Sequence, residues 1–158
     1  MRRVRRKWWR RLPRRRQLAV VVALLLLGLL WWFAGSWRHG DGPWSRREML
    51  DAIRFVESGW REHPPDGDGG RAIGPYQIHR IYWRDALEFE PGLGGDYDDC
   101  RDRAYAERVI GAYMAHWVPE AWQHGDAEVI ARTHNGGPNG RNKATTLRYW
   151  QRVRAALP

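Results

Sequence analysis

The chain has 158 residues, enough for one domain, and a formal net charge of +9. Ten of the first sixteen residues are Lys or Arg and none is acidic, so residues 17–158 keep 17 basic and 18 acidic side chains and a net charge of −1. Nucleic-acid binding needs positive charge on the folded surface, so this distribution argues against a nucleic-acid partner, although a basic face within residues 141–154 remains.

A long uncharged segment follows the basic tail at residues 1–17. Residues 18–37 read LAVVVALLLLGLLWWFAGSW, and as a helix they would be about 30 Å long, which matches the hydrocarbon core of a bilayer. We interpret this segment as a transmembrane signal anchor with Trp31, Trp32 and Trp37 in its outer aromatic belt. Positive flanks stay in the cytoplasm, so we predict a single-pass protein of the cell membrane, with a cytoplasmic N-terminus and an extracytoplasmic domain.

Two other interpretations of this segment remain open. It could be a buried core helix, or it could be a cleaved signal peptide, because Ala34, Gly35 and Ser36 are small residues that a signal peptidase accepts. We favour the uncleaved anchor because the apolar run exceeds the ~7 to 15 residues usual in signal peptides. The linker at residues 38–43 spans at most ~20 Å and would keep the domain near the membrane.

Residues 44–158 predict a mostly α domain of the α+β class with a small β element. Ser45 and Glu48 fit a capping box, and Gly59 is a typical helix stop, so Glu57 falls in the last turn of the first helix. Apolar residues recur at helical spacing and predict its core-facing side: Met49, Ala52, Ile53, Val56 and Trp60.

The remaining elements follow from turn residues and helical periodicity. HPPDGDGG (residues 63–70) predicts a loop, and AIGPYQI (residues 72–78) predicts an extended segment before a short helix at about residues 81–87. Asp126 is placed to cap a helix that ends near Thr133, and HNGGPNGRN (residues 134–142) predicts a loop. Two further helices are outlined by core-facing residues: Val109, Ile110, Tyr113, Met114 and Trp117 in one, and Leu147, Trp150, Val153 and Leu157 in the last.

Glu57 is the first candidate for chemistry. A helix ends in unpaired carbonyls with a partial negative charge, so a carboxyl held there in apolar surroundings has a raised pKa. A general acid that keeps its proton near neutral pH needs this property. The alternative is an ordinary surface glutamate at a frayed helix end.

Asp66 and Asp68 follow Glu57 in the loop. Two carboxyl groups in different surroundings divide acid and base work between them, which is how glycosidic bonds are usually broken. Asp-Gly pairs are also common turn formers, so either aspartate could have only that role.

Four segments occur in an order that resembles the invertebrate-type (destabilase) lysozymes. They are ES (residues 57–58), GPYQI (residues 74–78), THNGGPNG (residues 133–140) and TLRYW (residues 146–150), and the resemblance extends over residues 53–153. It implies a lysozyme-like fold and hydrolysis of the β-1,4 bond between N-acetylmuramic acid and N-acetylglucosamine in peptidoglycan. The expected partners are therefore peptidoglycan glycan strands.

The resemblance also implies roles for individual residues. Glu57 matches the catalytic acid, and the second carboxylate falls shortly before GPYQI, where this sequence has both Asp66 and Asp68. We choose Asp68, because its spacing from Glu57 is closer to that of the family's motif. His134 would contact substrate or tune the acid, with a purely structural role as the alternative. Further substrate contacts are expected from Ser58, from Gln77 and Asn135 as hydrogen-bond partners, and from Tyr76, which could stack on a sugar or belong to the core.

The chain departs from the animal members of the family, whose many cysteines are missing. Cys100 is the single cysteine, and we predict a free and mostly buried thiol. His63, His79, His116 and His124 are scattered without ligand spacing, so we predict no metal and no cofactor.

Two rival functions remain open. A lytic transglycosylase combines similar motifs and would use Glu57 alone, and an envelope protein could bind peptidoglycan without cleaving it. The sequence does not predict the oligomeric state.

Overall fold

The computed structural model describes residues 43–158 together with Leu24 and Leu25. The chain divides into two units, Met1–Gly40 and Asp41–Pro158. Apart from the helical Leu24 and Leu25, the predicted membrane segment at residues 18–37 lies outside the described residues. Among the residues that are described, no helix has both the length and the apolar character needed to cross a bilayer.

The second unit is built mainly from helices. In chain order the α-helices are α1 (Arg46–Ser58), α2 (Arg80–Phe89), α3 (Arg103–Trp117), α4 (Pro119–His124), α5 (Ala127–Gly136) and α6 (Leu147–Ala156). Strands β1 (Ala72–Ile73) and β2 (Ile78–His79) form an antiparallel pair, with Ala72 opposite His79 and Ile73 opposite Ile78. Short 3-10 helices occupy the loops: Asp68–Gly70, Pro91–Leu93, Tyr97–Arg101, Gly140–Asn142 and Ala144–Thr146.

Helix α1 begins and ends where the sequence predicts. The Ser45 hydroxyl accepts a hydrogen bond from the Glu48 backbone N–H at 3.2 Å, and the Glu48 carboxylate accepts one from the Ser45 N–H at 2.8 Å. This capping box satisfies two N–H groups that would otherwise lack partners. Gly59 ends the helix in the left-handed conformation, with φ 59°, and donates to the Phe55 carbonyl. Glu57 therefore lies in the last turn.

Helix α5 is longer than predicted. The Asp126 side chain accepts a hydrogen bond from the Val129 N–H, as expected, but the helix continues to Gly136. Residues 134–136 form the last turn of this helix and are not a loop as predicted. The ring of His134 packs in the interior, and the helix stops only at Gly137, with φ 77°. The consequence is a fixed orientation for His134.

The core surrounds α3, whose residues Val109, Ile110 and Met114 are fully buried. Three predicted core residues are instead exposed: Trp60, Trp117 and Leu147. Trp60 follows the Gly59 turn and so lies beyond the helix, whereas Trp117, at the end of α3, packs at the surface against Phe89 and His116. Cys100 is a free, fully buried thiol, as predicted.

Candidate active site

Glu57 lies in a largely buried position at the end of α1. Its side chain is 18% exposed. Burial raises the pKa of this carboxyl, and the effect is partly offset by the Tyr149 hydroxyl and by the positive charge of Arg152. The direction agrees with the sequence prediction. Both offsetting residues belong to α6, which packs against α1.

His134 lies beside Glu57. Its Nε2 lies 3.8 Å from Glu57 Oε1, and its side chain is 4% exposed. Burial lowers the pKa of the imidazole to about 4, so the ring is neutral at neutral pH. Nε2 also lies 3.2 Å from the Tyr76 carbonyl oxygen, so we assign its proton to a hydrogen bond with that oxygen. The Glu57–His134 contact is therefore not an ion pair at neutral pH.

Aromatic rings enclose the inner side of His134. The Tyr82 ring centre lies 5.5 Å from that of His134 and stacks at 3.6 Å on Tyr113, and the Tyr149 ring centre lies 6.5 Å from His134. Among the described residues, none forms a hydrogen bond of normal distance and angle with the buried hydroxyls of Tyr82 and Tyr149. Tyr149 nevertheless lies close enough to Glu57 for its hydroxyl to lower the pKa of the acid. These aromatic neighbours account for the burial of the His134 ring, which is 4% exposed.

Glu57 and His134 each line an open cavity. The first, of about 370 Å³, is lined by Glu57, Ser58 and Gln77 among others. The second, of about 320 Å³, is lined by Gln77, His134 and Asn135. Because Gln77 lines both, the cavities are neighbours. Five of the residues predicted for the site thus line these two cavities.

Gln77 is held firmly at the junction of the cavities. Its side-chain amide donates to the carbonyls of Gly74 at 3.0 Å and Pro65 at 3.3 Å. Its Oε1 packs over Gly67, where an added Cβ would lie only 2.1 Å from it. Gly67 therefore leaves room for the amide of Gln77, the residue that lines both cavities.

One predicted substrate contact needs correction. Tyr76 is fully buried, and its hydroxyl donates to Glu107 at 2.7 Å, so its ring belongs to the core and has no face free for a sugar. Tyr76 therefore supports the site from behind. The Ser58 hydroxyl donates to the Arg54 carbonyl at 3.0 Å within its own helix and lines the first cavity, where its oxygen remains an acceptor, so the predicted contact of Ser58 with substrate stays a prediction.

The two aspartates have different partners. Asp66 forms a bidentate ion pair with Arg101, with hydrogen bonds of 2.5 and 2.9 Å. This hydrogen bonding lowers the pKa of Asp66. Asp68 accepts one hydrogen bond from Arg71 at 2.7 Å, and its other oxygen lies 3.6 Å from His79 Nε2. His79 lines the second cavity, whereas neither aspartate is among the residues that line the two cavities.

Sequence reasoning missed three residues of the site. Asp85 is the carboxylate that lines the second cavity, and Tyr149 and Arg152 tune Glu57. Tyr149 lies in the TLRYW segment, but nothing in that segment shows that α6 packs against the end of α1. Within the described part of the chain, no group of three or more His, Cys, Asp or Glu side chains is placed to hold a metal ion.

The fold and this site together define a class. A small helical domain holds a carboxylic acid with a raised pKa at the edge of a polar cleft, and this arrangement suits proton donation to a leaving oxygen. That is the acid chemistry of a glycosidase.

Comparison with known proteins gives the family. The destabilase family model matches residues 48–156. A lysozyme of Magallana gigas is 36% identical over 106 residues, which cover 66% of this chain and 74% of the relative. A lysozyme of Ostrea edulis is 35% identical over 88 residues, and the match covers 54% of this chain and 61% of that relative. The crystal structure of Tapes japonica lysozyme superposes with a TM-score of 0.57 at 30% identity, covering 71% and 89% of the two chains.

The chain belongs to the destabilase family, the invertebrate-type lysozymes. The prediction that it is a glycosidase is confirmed. The predicted lysozyme-like fold, mostly helical with a small two-stranded sheet, is confirmed as well.

Proposed function

We propose that the chain is a muramidase that hydrolyses the β-1,4 bond between N-acetylmuramic acid and N-acetylglucosamine in peptidoglycan. The observation that carries this proposal is the raised pKa of Glu57, which lines an open cavity. An acid of this kind retains a proton at higher pH than a solvent-exposed glutamate. Family membership supports the same reaction.

In the first step Glu57 donates its proton to the leaving glycosidic oxygen, and the sugar ring gains oxocarbenium character. Asp68 then attacks the anomeric carbon or stabilises the positive charge, and Glu57, now a base, takes a proton from the attacking water. Gln77 and Asn135, which line the cleft, are the proposed partners of acetamido and hydroxyl groups.

Asp68 suits the second role better than Asp66. The Asp68–Arg71 pair is exposed, with 47% and 73% of the two side chains accessible, and such surface pairs contribute only about 0 to 1 kcal/mol. Substrate could therefore displace Arg71 at little cost. Asp66 is committed to two hydrogen bonds with Arg101 and would have to break both.

A lytic transglycosylase is the second candidate, because neither aspartate lines the cavities and that reaction needs only one carboxyl group. Digestion of purified peptidoglycan with the purified chain, followed by product masses, separates the two reactions. Reducing-end muramic acid is the expected product. A 1,6-anhydro sugar would exclude hydrolysis.

The substitution Glu57→Gln tests the alternative that this chain binds peptidoglycan without cleaving it. We expect this variant to lose about 10²- to 10⁴-fold in rate and still bind glycan. A variant as active as the unchanged chain would remove Glu57 from the mechanism.

We also propose that residues 18–37 anchor the chain in the cell membrane, with the catalytic domain on the extracytoplasmic side. The basis is the charge pattern of the sequence alone. The substrate would then be membrane-proximal glycan. Sequencing the N-terminus of the mature protein tests this, because a start near Trp37 would show a cleaved signal.

A further inference from the structure

Two aromatic side chains are exposed at the rim of the Glu57 cavity. Phe55 is 47% and Trp60 48% exposed, and their ring centres lie 5.9 Å apart at an angle of 46°. Phe55 lines the cavity itself, and Trp60 lies between Gly59 and Arg61, which also line it. The pair therefore continues the surface of the cleft outward.

The position of Trp60 is built into the structure. Its φ of 69° is in the left-handed region, which a bulky residue adopts only at a cost. Arg54 holds it there, since Nη2 donates to the Trp60 carbonyl at 3.1 Å and to Glu62 at 2.5 Å. The Arg54 guanidinium also lies 5.4 Å from the centre of the indole ring.

The Arg54 side chain, which holds the Trp60 backbone, is buried. The Arg54 side chain is only 5% exposed, although its partner Glu62 is on the surface. Burying a guanidinium and straining a backbone both cost stability, so the turn is more constrained than a simple helix end needs. Strain of this kind concentrates at functional sites.

We propose that Phe55 and Trp60 form a sugar-stacking subsite, which binds a saccharide ring of the same glycan strand that reaches Glu57. This inference rests on the proposed function. The ring faces are apolar and large, and the apolar C–H face of a pyranose is the matching surface. A strand seated in the cavity at Glu57 meets this rim directly, so the occupant follows from the continuity of the two surfaces. Exposed apolar patches beside a polar groove commonly mark ligand sites.

The test measures glycan binding without turnover. Trp60→Ala and Phe55→Ala are each combined with Glu57→Gln in the full chain in detergent, and calorimetry gives the Kd of soluble oligosaccharides of alternating N-acetylglucosamine and N-acetylmuramic acid. Removing Trp60 should weaken binding about tenfold. Trp117→Ala is the matched control, because Trp117 is also partly exposed and lines a different cavity; its Kd should stay unchanged.

A second measurement separates stacking from folding. Trp60→Phe keeps an aromatic face and should recover most of the affinity, whereas a purely structural role would give a loss that follows the fall in Tm. In the catalytically intact chain, Trp60→Ala should raise KM for long glycans and leave kcat nearly unchanged.

Three results would each contradict either the sugar subsite or the proposed function. If Trp60→Ala binds oligosaccharide as tightly as the parent while the unchanged chain digests peptidoglycan, the subsite is wrong and the proposed function stands. If the unchanged chain neither digests nor binds glycan, the proposed function itself fails. If Trp60→Ala lowers binding to anionic lipid vesicles and not to glycan, the rim contacts a membrane and the sugar subsite is refuted.

Discussion

Glu57 Oε1 lies 3.8 Å from His134 Nε2, and the imidazole beside the acid is uncharged at neutral pH because burial lowers its pKa to about 4. A protonated histidine in this place would favour the carboxylate and remove the proton that the acid must donate. The neutral ring instead leaves burial as the main influence on Glu57. The geometry thus protects the acid form.

The first prediction concerns the stability cost of Glu57. Its folded-state pKa is raised, so the native state binds more protons than the unfolded state, and stability is lost as pH rises through the folded pKa. Glu57→Gln should therefore have a higher Tm than the unchanged chain at pH 8. The difference should shrink toward pH 4, where the acid is protonated in both states. Thermal melts at both pH values check this, and an equal difference at the two would contradict it.

The second prediction concerns the pH–rate profile. The Tyr149 hydroxyl and the charge of Arg152 both lower the pKa of Glu57. Tyr149→Phe and Arg152→Gln should each raise that pKa further and move the alkaline limb of kcat/KM to higher pH. Arg148→Gln, a substitution on the same helix, is the control. A shift to lower pH in either test variant would show that the assigned cause is wrong.

The third prediction concerns acid stability. His134 has a folded-state pKa of about 4 against an ordinary value of 6.5, so between these values the unfolded state binds more protons and stability falls as pH is lowered. The full effect is on the order of 3 kcal/mol. His134→Gln, which keeps an N–H donor, should lose less stability between pH 7 and pH 4.5. Urea unfolding at both pH values measures the difference, and parallel losses would rule out His134 as the source.

The fourth prediction separates the two aspartates. Asp68→Asn should lower the rate by at least about 10²-fold with little change in Tm, since it removes the proposed second carboxylate and only an exposed ion pair. Asp66→Asn should lower Tm and keep most of the activity, because it removes the negative charge and one of the two acceptors that bind Arg101. The reverse pattern would assign the catalytic role to Asp66. Full activity in both variants would favour the transglycosylase.

Local signals in the sequence were sufficient for much of the fold. The capping box of Ser45 and Glu48 and the stop at Gly59 depend only on neighbouring residues, so they predict the end of α1 and the place of Glu57 correctly. Tyr76 could not be placed in the same way. Its burial depends on contact with Glu107 in α3, which a one-dimensional pattern does not contain.

The same limit applies to the electrostatics of the site. The position at a helix end and the apolar pattern predict that the pKa of Glu57 is raised. The opposing influence of Tyr149 and Arg152 on this pKa arises only when α6 packs on α1. The strained backbone of Trp60 is likewise a product of tertiary contacts, made by Arg54. Periodicity alone assigns this tryptophan to the core.

The buried thiol of Cys100 has a consequence for how this domain matures. Burial raises the pKa of Cys100 to about 12, so the sulfur stays in its unreactive, protonated form. As the chain's single cysteine, it has no partner for a disulfide within the chain. We therefore expect the domain to refold without an oxidant or a disulfide isomerase, and to the same extent in reducing and in oxidising buffer.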